Sequence, residues 1–223
     1  MRIARFQDRK DAPPAWGWIS GDRIGLLEGD VFGAFRRKDP HLALESVRLL
    51  APARPGKIVA VGYNYKAHSE EHATGAPALP LLFLKAPSAV IDPGQPILLP
   101  PQSSQVEHEA ELAVVIGRAG RWIQPEQARQ HVLGYTAAND VSARDLQMSD
   151  GQWTRGKGFD TFLPLGPWLE TELDPADVLV RGSVNGQMRQ MASTRDMVFS
   201  VPQLIAFISS VMTLAPGDVL LTG

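Results

Sequence analysis

Glu107, Glu109 and Glu111 stand at alternate positions in the stretch 106–117, VEHEAELAVVIG. In an extended strand alternate side chains share a face, so the three carboxylates would line one side. Val106, His108, Ala110, Leu112, Val114 and Ile116 would make an almost wholly apolar face on the other. The acidic row runs directly into Ala113 and Val115, whereas a strand that is merely solvated on its polar face would stay polar to its end. Like charges side by side repel, and burying them unpaired is costly. A divalent cation would remove both penalties, and oxygen-only ligands suit a hard ion such as Mg²⁺, Mn²⁺ or Ca²⁺. On spacing alone an edge strand with a wet acidic face is the alternative.

Other residue types bear on the same chemistry. Asp140, near the end of the strand-like stretch 134–141, is the natural third oxygen ligand for a cation held by Glu109 and Glu111. His68 and Glu71 lie three apart in a stretch with no strong breaker before Gly75 and would share a helix face. A carboxylate beside an imidazole raises its basicity and fixes its orientation, so this pair could activate a water; an ordinary surface pair is the bland reading. Ser142 could cap a helix that sets Arg144 and Gln147 three apart on one face. In the loop-like stretch 151–159, GQWTRGKGF, Gly156 and Gly158 flank Lys157. Glycines there permit close backbone approach and unusual φ, with one lysine aimed at a substrate carboxylate; a solvent loop with an incidental lysine is the alternative.

The elements that must position these groups are short. Residues 1–6, 16–20 and 23–27 read as strands, the last two joined by a turn at Gly21-Asp22. The connector APARPG, residues 51–56, is stiff and turn-rich, and marks a boundary between a small domain over residues 1–52 and a second over 53–223. KIVAVG at 57–62 and LLFLK at 81–85 read as buried strands, and Asn185-Gly186 as the turn of a hairpin between 178–184 and 187–191. Ser200 caps a helix whose apolar face is Leu204, Ile205, Phe207, Ile208, Val211 and Met212. Glycine and proline, 20 and 18 of 223 residues, favour many turns and short strands over a helical bundle. The balance of 22 Lys+Arg against 24 Asp+Glu argues against nucleic acid or an anionic membrane as main partner. No apolar run approaches the roughly 20 residues of a membrane helix. The start MRIARFQDRK has no apolar signal core, and the absence of Cys excludes disulfides, thiolate nucleophiles and zinc–thiolate sites. A cytoplasmic protein is expected.

Six segments in order, KIVAVGYNYKAHSEE, LLFLKAPSAV, EHEAELAVVIG, NDVSARDLQ, TRGKGFDTFLPLGP and STRDMVFSVPQLIAFISSVMTLAPGDVLLTG, together resemble the fumarylacetoacetate hydrolase (FAH) family from about residue 57 onward. The resemblance is to its acylpyruvase and 2-hydroxyhepta-2,4-diene-1,7-dioate isomerase-like members. It implies an α+β, mostly β fold: an FAH-type mixed β-roll preceded by a small N-terminal α+β domain, usually as a homodimer. It implies Mg²⁺ or Mn²⁺ (Ca²⁺ as a further option) on Glu109, Glu111 and Asp140, and leaves Glu107 outside the ligand pattern. It places His68, Glu71, Lys157 and Gln147 in the catalytic set, and Arg144, Lys157 and Gln147 against a small 2-oxo acid. The implied reaction is hydrolytic C–C cleavage of a β-diketo acid of the acylpyruvate or fumarylpyruvate type through a metal-stabilised enolate. In it His68, held by Glu71, activates the water, and Lys157 or Gln147 serves the oxyanion. Oxaloacetate-type decarboxylation and isomerisation of a 2-hydroxyhepta-2,4-diene-1,7-dioate suit the same metal site. A non-catalytic, metal-binding dimeric module is the reading from another class. Family members usually continue past the final Thr-Gly, so a chain ending at Thr222-Gly223 is expected to lack part of the domain.

Overall fold

The structure is a computed structural model that describes residues 1–9, 11–66 and 77–223. It is mostly β. The first fifty residues supply β1 (Arg2–Gln7), β2 (Ala15–Ser20), β3 (Arg23–Gly29), β4 (Phe35–Arg37), β5 (Leu42–Ala43) and β6 (Arg48–Leu50), with a single 3₁₀ turn at Leu44–Ser46. Then come β7 (Ile58–Gly62), β8 (Leu81–Lys85), β9 (Val90–Ile91), β10 (Val106–Glu107), β11 (Ala110–Ile116), β12 (Val132–Asn139) and β13 (Ser142–Ala143). Two short helices follow, α1 (Arg144–Asp150) and α2 (Thr154–Lys157), and then β14 (Leu163–Glu170), β15 (Leu179–Val184), β16 (Gln187–Ser193), α3 (Val201–Val211) and β17 (Val219–Leu221).

One mixed sheet runs β4-β3-β2-β1-β14-β12-β11-β17-β7-β8, with only β17–β7 parallel along that path. Its middle is buried on both faces. Ala113 and Val115 of β11 join Ile58, Ala60, Val219, Leu221, Leu163 and Leu165 in one core. Leu112, Val114 and Ile116 join Val59, Val61, Leu220 and the inner face of α3 in another. That double burial is why these strands read as near-continuous apolar runs. β1 pairs with β14 (Arg2↔Glu170, Ile3↔Leu169), so the first fifty residues extend the same sheet and add a small core of Ala4, Phe6, Ile19 and Ile24.

Several local expectations are corrected. The single strand over 106–117 is two: β10 pairs with β13, whereas β11 pairs with β12 and β17. Between them Glu109 leaves the ladder, its N–H taken by the Asn139 side chain at 3.0 Å. β8 lies at the sheet edge, not in the interior, and Leu81 and Leu84 are exposed although Lys85 is buried. Val211 is likewise exposed rather than part of the buried stripe of α3. The start of α3 forms as expected, with the Ser200 N–H donating to Gln203 Oε1 at 2.8 Å. The hairpin turn forms too, because Asn185 and Gly186 both accept positive φ (52° and 76°). Among the described residues no helix is long and apolar enough to cross a membrane.

Candidate metal centre

Strand register brings the acidic residues together. β11 and β12 are antiparallel with Ala110 opposite Asn139, so Glu109, just before β11, meets Asp140, just after β12. The Asp140 N–H donates to the Glu109 carbonyl at 2.8 Å. Glu111 stands one step into β11, and one carboxylate oxygen from each of Glu109, Glu111 and Asp140 lies within 4.8 Å of the others. On the far side of β11, β17 pairs Leu221 with Ala113, which carries Gly223 up to Glu111. The Gly223 N–H donates to Glu111 Oε2 at 2.6 Å. Thr222 is pinned there by its hydroxyl on the Leu112 carbonyl (2.9 Å) and by Asn64 Nδ2 on its own carbonyl (2.8 Å).

Three cations surround the cluster. Lys157 Nζ contacts Glu109 Oε2 at 2.6 Å and Asp140 Oδ2 at 2.8 Å. Lys85, at the end of β8, places Nζ 2.5 Å from Asp140 Oδ1 and donates to the Lys157 carbonyl at 2.5 Å. Arg144 divides its guanidinium between Glu109 Oε1 (2.6 Å), Glu107 Oε2 (2.9 Å) and Gln147 Oε1 (2.6 Å). Burial disfavours the ammonium of Lys157, but Asp140 and Glu109 outweigh it and its pKa is raised. For Lys85 burial outweighs Asp140, and the pKa falls. Burial pushes Glu109 up, yet Lys157 and Arg144 win and hold it down at about 2.

Glu111 is different. It is buried, and among the described residues it has no ion-pair partner; burial first, then Asp140 and Glu109, push its pKa well above the carboxylate range. Asp140 Oδ1 faces Lys85 in an ion pair that lacks the direction of a hydrogen bond. A buried, all-oxygen set with one uncompensated carboxylate and one undirected oxygen fits a hard divalent cation, which would hold Glu111 ionised. The recess beside the cluster is small, about 30 Å³, and walled by Tyr63, Phe83 and Trp153. The Trp153 ring meets Phe83 edge-on at 5.0 Å and Tyr63 at 5.6 Å.

Of the residues singled out from the sequence, Glu109, Glu111, Asp140, Arg144, Gln147 and Lys157 come together here. His68 and Glu71 lie outside the described residues. Two local readings are corrected. Ser142 does not cap α1, whose first turn follows Ala143; its hydroxyl instead contacts Glu109 Oε1 and the Asp140 carbonyl, each at 3.0 Å. Lys157 sits not on a pliable loop but at the end of the helical turn α2, and is buried. Neither flanking glycine takes positive φ. Gly156 is required by close approach, since a Cβ there would lie 2.8 Å from Gln147 N. Lys85, to which the sequence pattern assigns no role beyond ending a strand, joins the cluster. Its signal is a lone cation ending an otherwise apolar strand, which must find a carboxylate if the strand is buried at that end.

The sequence profile described as "Fumarylacetoacetate (FAA) hydrolase C-terminal" matches residues 57–223. The chain belongs to the fumarylacetoacetate hydrolase family. A second profile, "Rv2993c-like, N-terminal", matches residues 1–52. The solved structure of 5-carboxymethyl-2-hydroxymuconate delta-isomerase from Mycobacterium smegmatis is 45% identical with a TM-score of 0.92, covering 100% of this chain and 88% of that one. Oxaloacetate tautomerase FAHD2B, mitochondrial, from Bos taurus is 40% identical over 252 residues, 100% of this chain and 80% of that protein. Maleylpyruvate hydrolase from Sphingobium sp. SYK-6, solved in complex with manganese(II) ion and pyruvate, is 32% identical with a TM-score of 0.79, covering 100% of this chain and 88% of that one. Family relatives are thus enzymes of more than one reaction type, and one neighbour carries manganese.

Proposed function

We propose that the protein is a divalent-metal-dependent isomerase of small 2-oxo acids, moving a proton between the enol oxygen and the carbon next to the one that bears it. The observation that carries this reading is the convergence of Glu109, Glu111 and Asp140 within 4.8 Å beside the cations Lys157 and Arg144. The 45% identical isomerase and the 40% identical tautomerase support proton transfer over bond cleavage, the hydrolases among the solved structures being somewhat more distant at 37% and 32%. The three carboxylates would hold Mg²⁺ or Mn²⁺, with Ca²⁺ the remaining option, and a bound ion would supply the Lewis acidity that stabilises a developing oxyanion. Arg144 and Lys157 orient the substrate carboxylate and oxo oxygen by charge. The Gln147 carbonyl is taken by Arg144, so its amide NH₂ is the group that donates to a substrate oxygen. His68, the candidate base of the His-x-x-Glu pattern, would take the proton from the enol hydroxyl and deliver it to the α-carbon, so no water is consumed and no bond of the carbon chain breaks.

A second reading, hydrolytic cleavage of a β-diketo acid, is favoured by the pyruvate seen with manganese in the maleylpyruvate hydrolase. In it Lys157 and Gln147 serve the tetrahedral oxyanion. One assay separates the two. The protein is given enol-oxaloacetate, a 2-hydroxymuconate-type dienoate and an acylpyruvate, with Mn²⁺ or with a chelator. Ultraviolet absorbance is read alongside released pyruvate and CO₂. Isomerisation predicts metal-dependent loss of enol absorbance with neither product, and its collapse in His68→Ala. Stoichiometric pyruvate release would assign hydrolysis instead, CO₂ release would assign decarboxylation, and no turnover with metal bound would leave a binding module.

A further inference from the structure

A second polar cavity, about 520 Å³, lies at the seam between the first fifty residues and the rest of the sheet. β1 and β6 form one side, the connector 51–55 another, and Pro87, Val90 and Asp92 a third. Its deepest charged group is Arg5. Strand alternation puts Arg5 on the same face of β1 as Ile3, away from the Ala4–Phe6 core and toward the seam. It is 8% exposed, and the one hydrogen bond of its guanidinium among the described residues runs from Nη1 to the Ala51 carbonyl at 3.2 Å. No carboxylate of the described residues lies within ion-pair distance of it. A guanidinium cannot shed its proton, so an unpaired one is costly to bury.

The rest of the cavity does not balance it. Arg48 and Arg54 also line it, and the single carboxylate in its wall, Asp92, is already used. Asp92 Oδ2 pairs with Arg48 at 2.8 Å and Oδ1 accepts the Ala51 N–H at 2.9 Å. Burial, and then the neighbouring Arg54, disfavour the charge of Arg5, and the more distant Asp92 offsets only part of this. Pro14, Pro55 and Pro87 contribute apolar surface and no N–H donors. What the cavity presents is two uncompensated planar forks, one buried and one at the mouth, over a rigid apolar wall. Such forks match the oxygens of carboxylates and phosphates.

We propose that this seam cavity is a binding site for a small oxyanion, carboxylate or phosphate, held by Arg5 at depth and Arg54 at the mouth. It is separate from the metal centre, sharing no lining residue with it, and is independent of which reaction that centre performs.

The test is calorimetric titration of metal-depleted protein with inorganic phosphate and, separately, with succinate, at constant ionic strength set with chloride. One saturable site per chain is expected for at least one probe, and the probe that binds identifies the head group. Arg54→Gln, an exposed change that leaves the fold alone, should weaken binding about tenfold, the loss of roughly one charge-assisted hydrogen bond. Arg5→Met should abolish it, and Arg144→Gln, at the other site, should not alter it. Absence of saturation by both probes in the millimolar range would overturn the proposal. So would affinity unchanged in Arg54→Gln, or lost in Arg144→Gln, and the Arg54 variant alone decides should Arg5→Met fail to fold.

Discussion

At the start of β11 three clustered carboxylates are met by three cations, Lys85, Lys157 and Arg144, around a recess of about 30 Å³. At the seam beside β1 three arginines line a cavity of about 520 Å³ whose one carboxylate, Asp92, is paired with Arg48. The first region is nearly neutral and tightly bonded, with Glu111 as the one carboxylate left over; the second is open and carries surplus positive charge. Buried charge that is matched in place mainly fixes geometry, whereas buried charge left unmatched asks for a ligand. The leftover charges differ in sign, so one region asks for a cation and the other for an anion.

The largest expected effect breaks this comparison most openly. Lys85→Met leaves Asp140 Oδ1 without its cation beside Glu111, Lys157 still holding Oδ2, and should cost about 3 kcal/mol of unfolding free energy, as when one partner of a buried pair is removed. Arg5→Met removes a buried cation without an ion-pair partner and should stay within about 1 kcal/mol of the wild type. Urea unfolding of both variants checks the contrast, and equal losses would erase it. A smaller effect of opposite sign concerns Glu111→Gln. Its amide oxygen can still accept the Gly223 N–H, and the change removes a carboxyl whose ionisation burial disfavours, so the metal-depleted protein should gain about 1 kcal/mol at pH values above the ordinary carboxylate range. The same variant should lose the stabilisation that added Mn²⁺ gives the wild type, which thermal melts with and without the ion would show.

The smallest effect tests the support of α1, which carries Arg144 and Gln147. Asp145 accepts hydrogen bonds from Ser103 Oγ (2.6 Å) and from the N–H groups of Ser104 and Leu146 (2.9 Å each). The Ser103 hydroxyl and then the Ser104 N–H hold its pKa down from 3.8 to about 2. A depressed folded-state value means the contribution is complete above the unfolded pKa and is lost as the carboxylate protonates. The stability difference between wild type and Asp145→Asn should therefore be constant above about pH 5 and shrink as pH falls toward 2. A difference independent of pH across that window would remove the ionised carboxylate from the account.

Much of the metal centre was legible because its ligands announce themselves locally. The Glu109–Glu111 spacing, Asp140 after a strand and the glycine-flanked Lys157 are features of short windows, and several such windows in order define the family. What was not legible depends on pairing across the chain. The break between β10 and β11 follows from their taking different partners, β13 on one side and β12 with β17 on the other. Lys85 reaches Asp140 only because β8 and the end of β12 converge, and Ser142 was read as a cap because local propensity favours that use over a contact with Glu109. Nothing in the strand-like window 1–6 distinguishes Arg5 from a solvated charge. It is enclosed by the pairing of β1 with β6 and by the connector 51–55 and residues 87–92 that pack around it.

The most direct test of the central claim is a Mn²⁺ titration followed by electron paramagnetic resonance on the wild type, Glu109→Gln and Asp140→Asn, with circular dichroism to confirm folding. The wild type should bind one ion per chain. Each variant should lose more than the roughly 100-fold in affinity that changing an outer partner of a metal site costs. Equal stoichiometry and affinity in all three proteins would contradict the assignment of the carboxylate cluster as the metal centre.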